Sequence, residues 1–216
     1  MAFTGFPPEA FAFYAGLEAD NAKPYWTTNR ATFDTAVHAP MVELVAELEP
    51  RFGTGRILRP YRDLRYSKDK RPYRTSHGAM LGDVYVQLSA RGLGAGGGNY
   101  HLAPDQLERY RAAVADDDTG AELVRRIAAI EAAGIDVAGG DALKTAPRGY
   151  AADHPRIGLL RYRGLIAWQE WPVADWVATA AARDRILESL ETSAPLRQWL
   201  RTEVGETAVP GRGRRG

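Results

Sequence analysis

"VYVQLSARGLGAGGGNYHL", residues 84–102, decides the class of the fold. Val84, Val86 and Leu88 alternate with Tyr85, Gln87 and Ser89, which is the two-residue period of a half-buried strand. The glycine-rich run behind it reads as an antiparallel partner in a hairpin. Gly92, Gly94 and Gly97 formally match the dinucleotide fingerprint Gly-x-Gly-x-x-Gly. That fingerprint must open a helix inside a βαβ unit, whereas Asn99-Tyr100-His101-Leu102 follows here, so the hairpin reading is kept.

Helical spacing surrounds this stretch. Phe6, Ala10, Phe13 and Leu17 follow a helical beat behind Pro7-Pro8. Trp26, Arg30, Phe33, Val37, Met41, Leu44 and Leu48 form a longer stripe, with Asn29 as a candidate cap and Pro40 predicting a kink or break. Downstream, Pro104 opens a helix through Leu107, Tyr110 and Val114. Thr119 and Glu122 read as the capping box of the next, which Gly134 stops. "LIAWQEW" at 165–171 reads as a further strand, and two closing helices follow it. Strands in the middle and helices at both ends predict an α+β fold, with a central antiparallel or mixed sheet and amphipathic helices before and after it. No repeat or linker interrupts the chain, so one domain is expected over residues 3–205, with a disordered basic tail over 208–216.

Composition narrows the function classes. The chain has 216 residues and no cysteine, which excludes disulfides, thiolate metal sites and cysteine nucleophiles. A hydrophobic content of 45% with 25% charged residues is that of a globular protein, not of a disordered chain. No apolar run approaches the roughly 18 residues of a membrane span, and "MAFTGFPPEAF" lacks the features of a signal peptide. A cytoplasmic protein without a membrane partner is the expectation. His38, His77, His101 and His154 show no zinc-ligand spacing, and no phosphate-binding loop or nucleophile elbow is present, so neither a nucleotide nor a zinc cofactor is implied.

The net charge of +1 hides an uneven distribution. "RILRPYRDLRYSKDKRPYRT", residues 56–75, places Arg56, Arg59, Arg62, Arg65, Lys68, Arg71 and Arg74 at every third position, with Lys70 added. Only Asp63 and Asp69 oppose them, leaving a local charge of +6 in residues 56–74 and an acidic remainder. Period three suits neither strand nor α-helix, so a convergent set of these side chains requires an irregular segment, as Pro60, Ser67 and Pro72 suggest. Arginine forks grip phosphate or carboxylate in pairs. Asp63 and Asp69, surrounded by cations, are poor general acids, and suit either the holding of guanidiniums or a divalent-cation site. Tyr61, Tyr66 and Tyr73 offer hydroxyl donors and stacking faces. The plain alternative is a solvated, salt-bridged loop whose arginine stems cover apolar surface.

The pattern Arg59-x-x-Arg62-Asp63-x-Arg65-Tyr66-x-x-x-Asp69-Lys70-x-x-Tyr73 resembles the signature of the family known as domain of unknown function 2461, with Tyr66 where that family usually has phenylalanine. "GFPPEAFAFYAGLEADNAKPYW" is similar to the family's opening helix and its Asn-x-x-x-x-Trp turn. "LKTAPRGYAADHPRIGLLRYRG" is similar to a second family segment, carrying Lys144, Pro147, Gly149, Tyr150, His154 and Pro155. The resemblance implies no reaction and no cofactor. It adds Lys144, Arg148 and Tyr150 to the candidate ligand-binding residues Arg59, Arg62, Asp63, Arg65, Asp69, Lys70 and Tyr73, with His154 read as a polar cap ahead of Pro155.

Three functions fit these residues. An anionic small molecule, bearing phosphate or carboxylate, would be neutralised by Arg59, Arg62, Arg65 and Lys70, with electrostatic stabilisation of a developing anion as the chemistry. Non-catalytic nucleic-acid binding uses the same charge. A purely structural Arg–Asp network is the third.

Overall fold

The alternation at 84–88 produces strand β3 (Val84–Ser89), buried at Val84, Val86 and Leu88. In the computed structural model, which describes residues 2–63, 65 and 69–209, β3 follows β2 (Ser76–Leu81) across the turn at Gly82 and Asp83. The two are antiparallel with Leu81 opposite Val84 and Ser76 opposite Ser89. Strand β2 escapes sequence reading because its buried face carries His77 and Ala79 beside Leu81 while Met80 faces outward, so residue type hides the alternation. Short β1 (Gly55–Ile57) pairs antiparallel with β2. The remaining strands are β4 (Gly92–Asn99), β5 (Asp136–Ala138) and β6 (Leu165–Pro172), and the sheet order is β1-β2-β3-β4-β6-β5.

The glycines of β4 are explained by this order. A Cβ on Gly92 would collide with the Trp171 carbonyl, and one on Gly96 with the Ala167 carbonyl, both on β6. The glycine run therefore serves close approach of a neighbouring backbone, as a strand glycine often does.

The helices before the sheet are α1 (Pro8–Ala19), α2 (Lys23–Thr28), α3 (Arg30–Thr32) and α4 (Ala39–Phe52). A π-helical turn, Phe33–His38, joins α3 to α4. Pro40 accounts for it: with no N–H for the Ala36 carbonyl and a ring that crowds it, the α-helical ladder cannot continue. Asn29 stands at the N-cap position of α3, as the sequence suggests, but its side chain caps no amide there. Its side-chain Nδ2 donates to the Tyr25 carbonyl at 2.9 Å, closing the end of α2 instead.

After the β4 strand come α5 (Pro104–Ala115), α6 (Asp117–Ala132), α7 (Ile157–Leu160), α8 (Ala181–Thr192) and α9 (Ala194–Trp199), continued by a π turn, Leu200–Val204. The N-cap of α6 is Asp116 rather than Thr119. Asp116 Oδ1 accepts from the amides of Asp118 and Thr119, both at 3.0 Å, because the chain turns helical three residues earlier than the Thr-Glu pair suggests. Among the described residues no helix is long and apolar enough to cross a membrane.

The chain divides into two compact units, Met1–Ala95 with Glu170–Leu190, and Gly96–Gln169 with Glu191–Gly216. The first buries an aromatic core of Phe3, Phe6, Phe13, Tyr14, Trp26, Phe33 and Tyr73 with aliphatic partners. The second is built on Tyr110, Leu123, Ile130, Leu160, Leu196 and Trp199. Ala208 is tied to Asp105 through its amide at 2.9 Å, and the basic tail from Pro210 onward lies outside the described residues.

Candidate functional site

Beyond β1 the chain does not become a free loop. It runs out and back as an irregular two-stranded ribbon that extends the β1–β2 hairpin. The Leu58 amide donates to the Gly78 carbonyl at 2.8 Å, Arg62 to Pro72 at 2.9 Å, and Arg74 to Pro60 at 2.7 Å. Tyr61 and Tyr73 form a bridge pair between the two arms. Pro60 and Pro72 sit where only their carbonyls are needed, so the ribbon loses no ladder bond to them.

At the far end of the ribbon one local device occurs twice. Asp63 Oδ1 accepts from the Arg65 amide at 3.2 Å, and its two oxygens take the Arg65 guanidinium at 3.0 and 2.8 Å. Asp69 Oδ1 accepts from the Arg71 amide at 3.0 Å, and Asp69 Oδ2 receives Arg71 Nη2 at 2.7 Å. The Asp-x-Arg spacing thus makes a turn and a fork together, a compact arrangement for short aspartate side chains. Asp69 also receives Arg62 Nη1 at 2.5 Å. Hydrogen bonds from Arg71, then from its amide and from Arg62, hold the Asp69 carboxyl well below the usual carboxylate range, so it is an anion at neutral pH.

Arg65 is exposed, as are Arg59, Lys70 and Arg74. Arg59 and Arg74 have no carboxylate partner among the described residues. Tyr66 and Lys68 of the motif lie outside the described residues.

Tyr73 is placed differently. It is 6% exposed, its ring lies parallel to Trp26 at 4.5 Å, and burial pushes its hydroxyl upward. Its backbone is gripped by Asn21, which accepts from the Tyr73 amide at 3.0 Å and donates to its carbonyl at 3.1 Å. Asn21 and Trp26 are the ends of the Asn-x-x-x-x-Trp turn, so that turn serves to seat Tyr73. Tyr61 stays half exposed beside Trp26, with ring centroids 5.8 Å apart. Arg30 lies over Trp26 and Phe33 at 5.7 and 5.8 Å and is held by Asp34 at 2.8 Å.

Two residues without any sequence signal pack against Phe33 in this cluster. His38, the last residue of the π turn, places Nδ1 3.2 Å from Nε2 of His77 on β2. They are 39 residues apart, so spacing could not connect them. His77 is 2% exposed, and burial, reinforced by His38, pushes it down to about 4. Phe33 packs edge-on to His77 at 5.1 Å and stacks with His38 at 6.0 Å. Among the described residues no cluster of three or more metal-ligating side chains is found.

The second family segment belongs to the other unit. Lys144 and Arg148 are exposed, Tyr150 packs against the second core, and Gly149 takes a φ of +90° in the turn that bonds the Tyr150 amide to the Pro147 carbonyl at 3.2 Å. His154 Nδ1 accepts from the Arg156 amide at 3.0 Å. The Arg156 guanidinium closes the end of α5: Nε donates to the Val114 carbonyl at 2.6 Å, and Nη2 to those of Ala115 and Asp116 at 2.9 and 3.1 Å. The only signal for Arg156 in the sequence is its place directly after the His-Pro pair.

A family model described as conserved hypothetical protein (DUF2461) matches residues 9–199. The chain belongs to this family. The match includes the ribbon, the Asn-x-x-x-x-Trp turn and the His-Pro segment. No curated protein and no solved structure matches the chain.

Proposed function

We propose that the ribbon of residues 59–74 binds an anionic small molecule bearing phosphate or carboxylate. The observation that carries this reading is the double Asp-x-Arg device on a ribbon that also carries two cations, Arg59 and Arg74, without carboxylate partners among the described residues. Asp63 and Asp69 order Arg65, Arg71 and Arg62, while Arg59 and Arg74 have no acid among the described residues to satisfy them. Guanidiniums fixed in advance lose less side-chain entropy when they engage an anion. Excess positive charge on an ordered scaffold also draws anions toward it. Lys70 adds charge at the same end of the ribbon, and Tyr73 acts by fixing the backbone. Lys144, Arg148 and Tyr150 belong to the second unit, and a Lys144→Ala/Arg148→Ala double variant asks whether they contribute.

The test is thermal denaturation of the wild type, Arg59→Ala, Arg65→Ala and the Lys144→Ala/Arg148→Ala double variant with pyrophosphate, succinate and a short oligonucleotide. A ligand at a hundred times its dissociation constant adds about 2.7 kcal/mol to stability. Pyrophosphate or succinate is expected to raise the wild-type midpoint and to lose that effect in Arg59→Ala. A shift confined to the oligonucleotide and steeply reduced by salt assigns the ribbon to nucleic acid instead. No shift with any of the three overturns the reading.

A further inference from the structure

The histidine pair packed against Phe33 has a geometry that packing alone does not call for. His77 buries a polar ring at the aromatic end of the first core, and its Nδ1 has no hydrogen-bond partner among the described residues. Its other nitrogen is spent on His38. Leaving a buried polar atom unpaired costs stability, and an apolar residue at 77 would avoid that cost. His38 in turn is aimed by the π turn that Pro40 imposes, a distortion of the kind found at functional positions. Its Nδ1 faces His77, so Nε2, on the opposite edge of a half-buried ring, is the nitrogen left for other contacts; it has no partner among the described residues. Arg59 belongs to the same neighbourhood. It follows Leu58, whose amide bonds to Gly78, so the chain carries Arg59 past His77.

We propose that His38 is a proton-transfer residue for the anion held by the ribbon, with His77 as the buried positioning residue that fixes its tautomer. This rests on the reading of the ribbon as an anion site and adds a substrate class: a molecule with an anionic group near a hydroxyl or another ionisable X–H. His38 donates Nδ1–H to His77 Nε2, which leaves a lone pair on His38 Nε2. That lone pair takes the proton of the substrate. The X–H bond breaks, an N–H bond forms, and its electron pair stays on X as an anion beside the Arg59 guanidinium, while the imidazolium later returns the proton. A second histidine does here what a carboxylate or carbonyl does for other catalytic histidines, setting which nitrogen carries the proton.

Acylation by diethyl pyrocarbonate tests this without a known substrate, because the reagent is attacked by a neutral imidazole lone pair. The full-length protein is treated with and without pyrophosphate or succinate, and each histidine is followed by peptide mass. At ten times its dissociation constant the bound anion leaves about a tenth of the sites free, so His38 acylation is expected to slow about tenfold while His101 is unaffected. The protection is expected to vanish in Arg59→Ala. In the unliganded protein His77→Leu is expected to slow His38 acylation, and His77→Gln, which keeps an acceptor, to restore it. If an anion raises the thermal midpoint yet leaves His38 acylation unchanged, the proton-transfer role is wrong and the anion site stands. If no anion raises the midpoint, both fall together. Equal His38 reactivity in His77→Gln, His77→Leu and wild type removes the positioning role.

Discussion

The two family segments solve the problem of an arginine near a buried core in opposite ways. In the second segment Arg156 is nearly buried, and its Nε and Nη2 are engaged by three backbone carbonyls and by Asp117 at 3.0 Å. It serves as a cap on the end of α5. In the first segment the arginines are held by aspartates at the surface, where their outer edges still face solvent. A guanidinium whose donors are consumed by backbone stabilises the fold. One that is oriented by a carboxylate and still exposed can meet a ligand.

That contrast sets the size of the expected effects. Within the ribbon itself, the largest loss belongs to Tyr73, the motif residue that faces the core. Tyr73→Ala removes a stacked ring from Trp26 and leaves a cavity, with an expected cost of about 4 kcal/mol in urea denaturation. A loss below about 1 kcal/mol would show that the ribbon is not anchored by this residue.

His77 predicts a pH dependence of similar origin. Its value falls from 6.5 to about 4 on folding, so between those values the unfolded chain binds the extra proton and the folded chain does not. Stability is therefore complete above pH 6.5 and declines as pH falls toward 4, by roughly 3 kcal/mol in all. Urea midpoints at pH 7, 6, 5 and 4 measure it, and His77→Leu should flatten the slope. The depressed carboxyls titrate lower, with Asp105 brought down to about 2, so the upper part of that window reports the histidine.

Arg156→Ala is expected to cost about 2–3 kcal/mol, because carbonyls at the end of α5 lose a charged donor. The smallest effect is the most informative for function. Arg59→Ala should leave the denaturation midpoint almost unchanged, since no carboxylate among the described residues loses a partner, while abolishing any stabilisation by pyrophosphate or succinate. An Arg59→Ala protein that unfolds as early as Tyr73→Ala would erase the distinction between anchoring and ligand-facing residues.

Much of the fold is legible in the chain. The alternation at 84–88 and the failure of the glycine run to open a helix are local properties, and the structure carries both. Pro40 predicts an interruption, and a π turn stands just before it. The roles of Asn29 and Asp116 are not legible, because several polar residues near a helix end compete for one capping position, and only the backbone path selects among them. Strand β2 is not legible either, because its buried face is His77, Ala79 and Leu81 and its largest apolar residue on the other face, Met80, is exposed.

By itself the sequence determined the α+β class, the family and the concentration of positive charge between Arg56 and Arg74, because periodicity, motif spacing and composition are properties of the chain. Only the tertiary structure decided that Tyr73 belongs to the core, that Asp69 gathers two arginines, and that His38 meets His77. Such pairings join residues up to 52 positions apart, as with Asn21 and Tyr73, and they exist only once hydrophobic burial has closed the chain on itself.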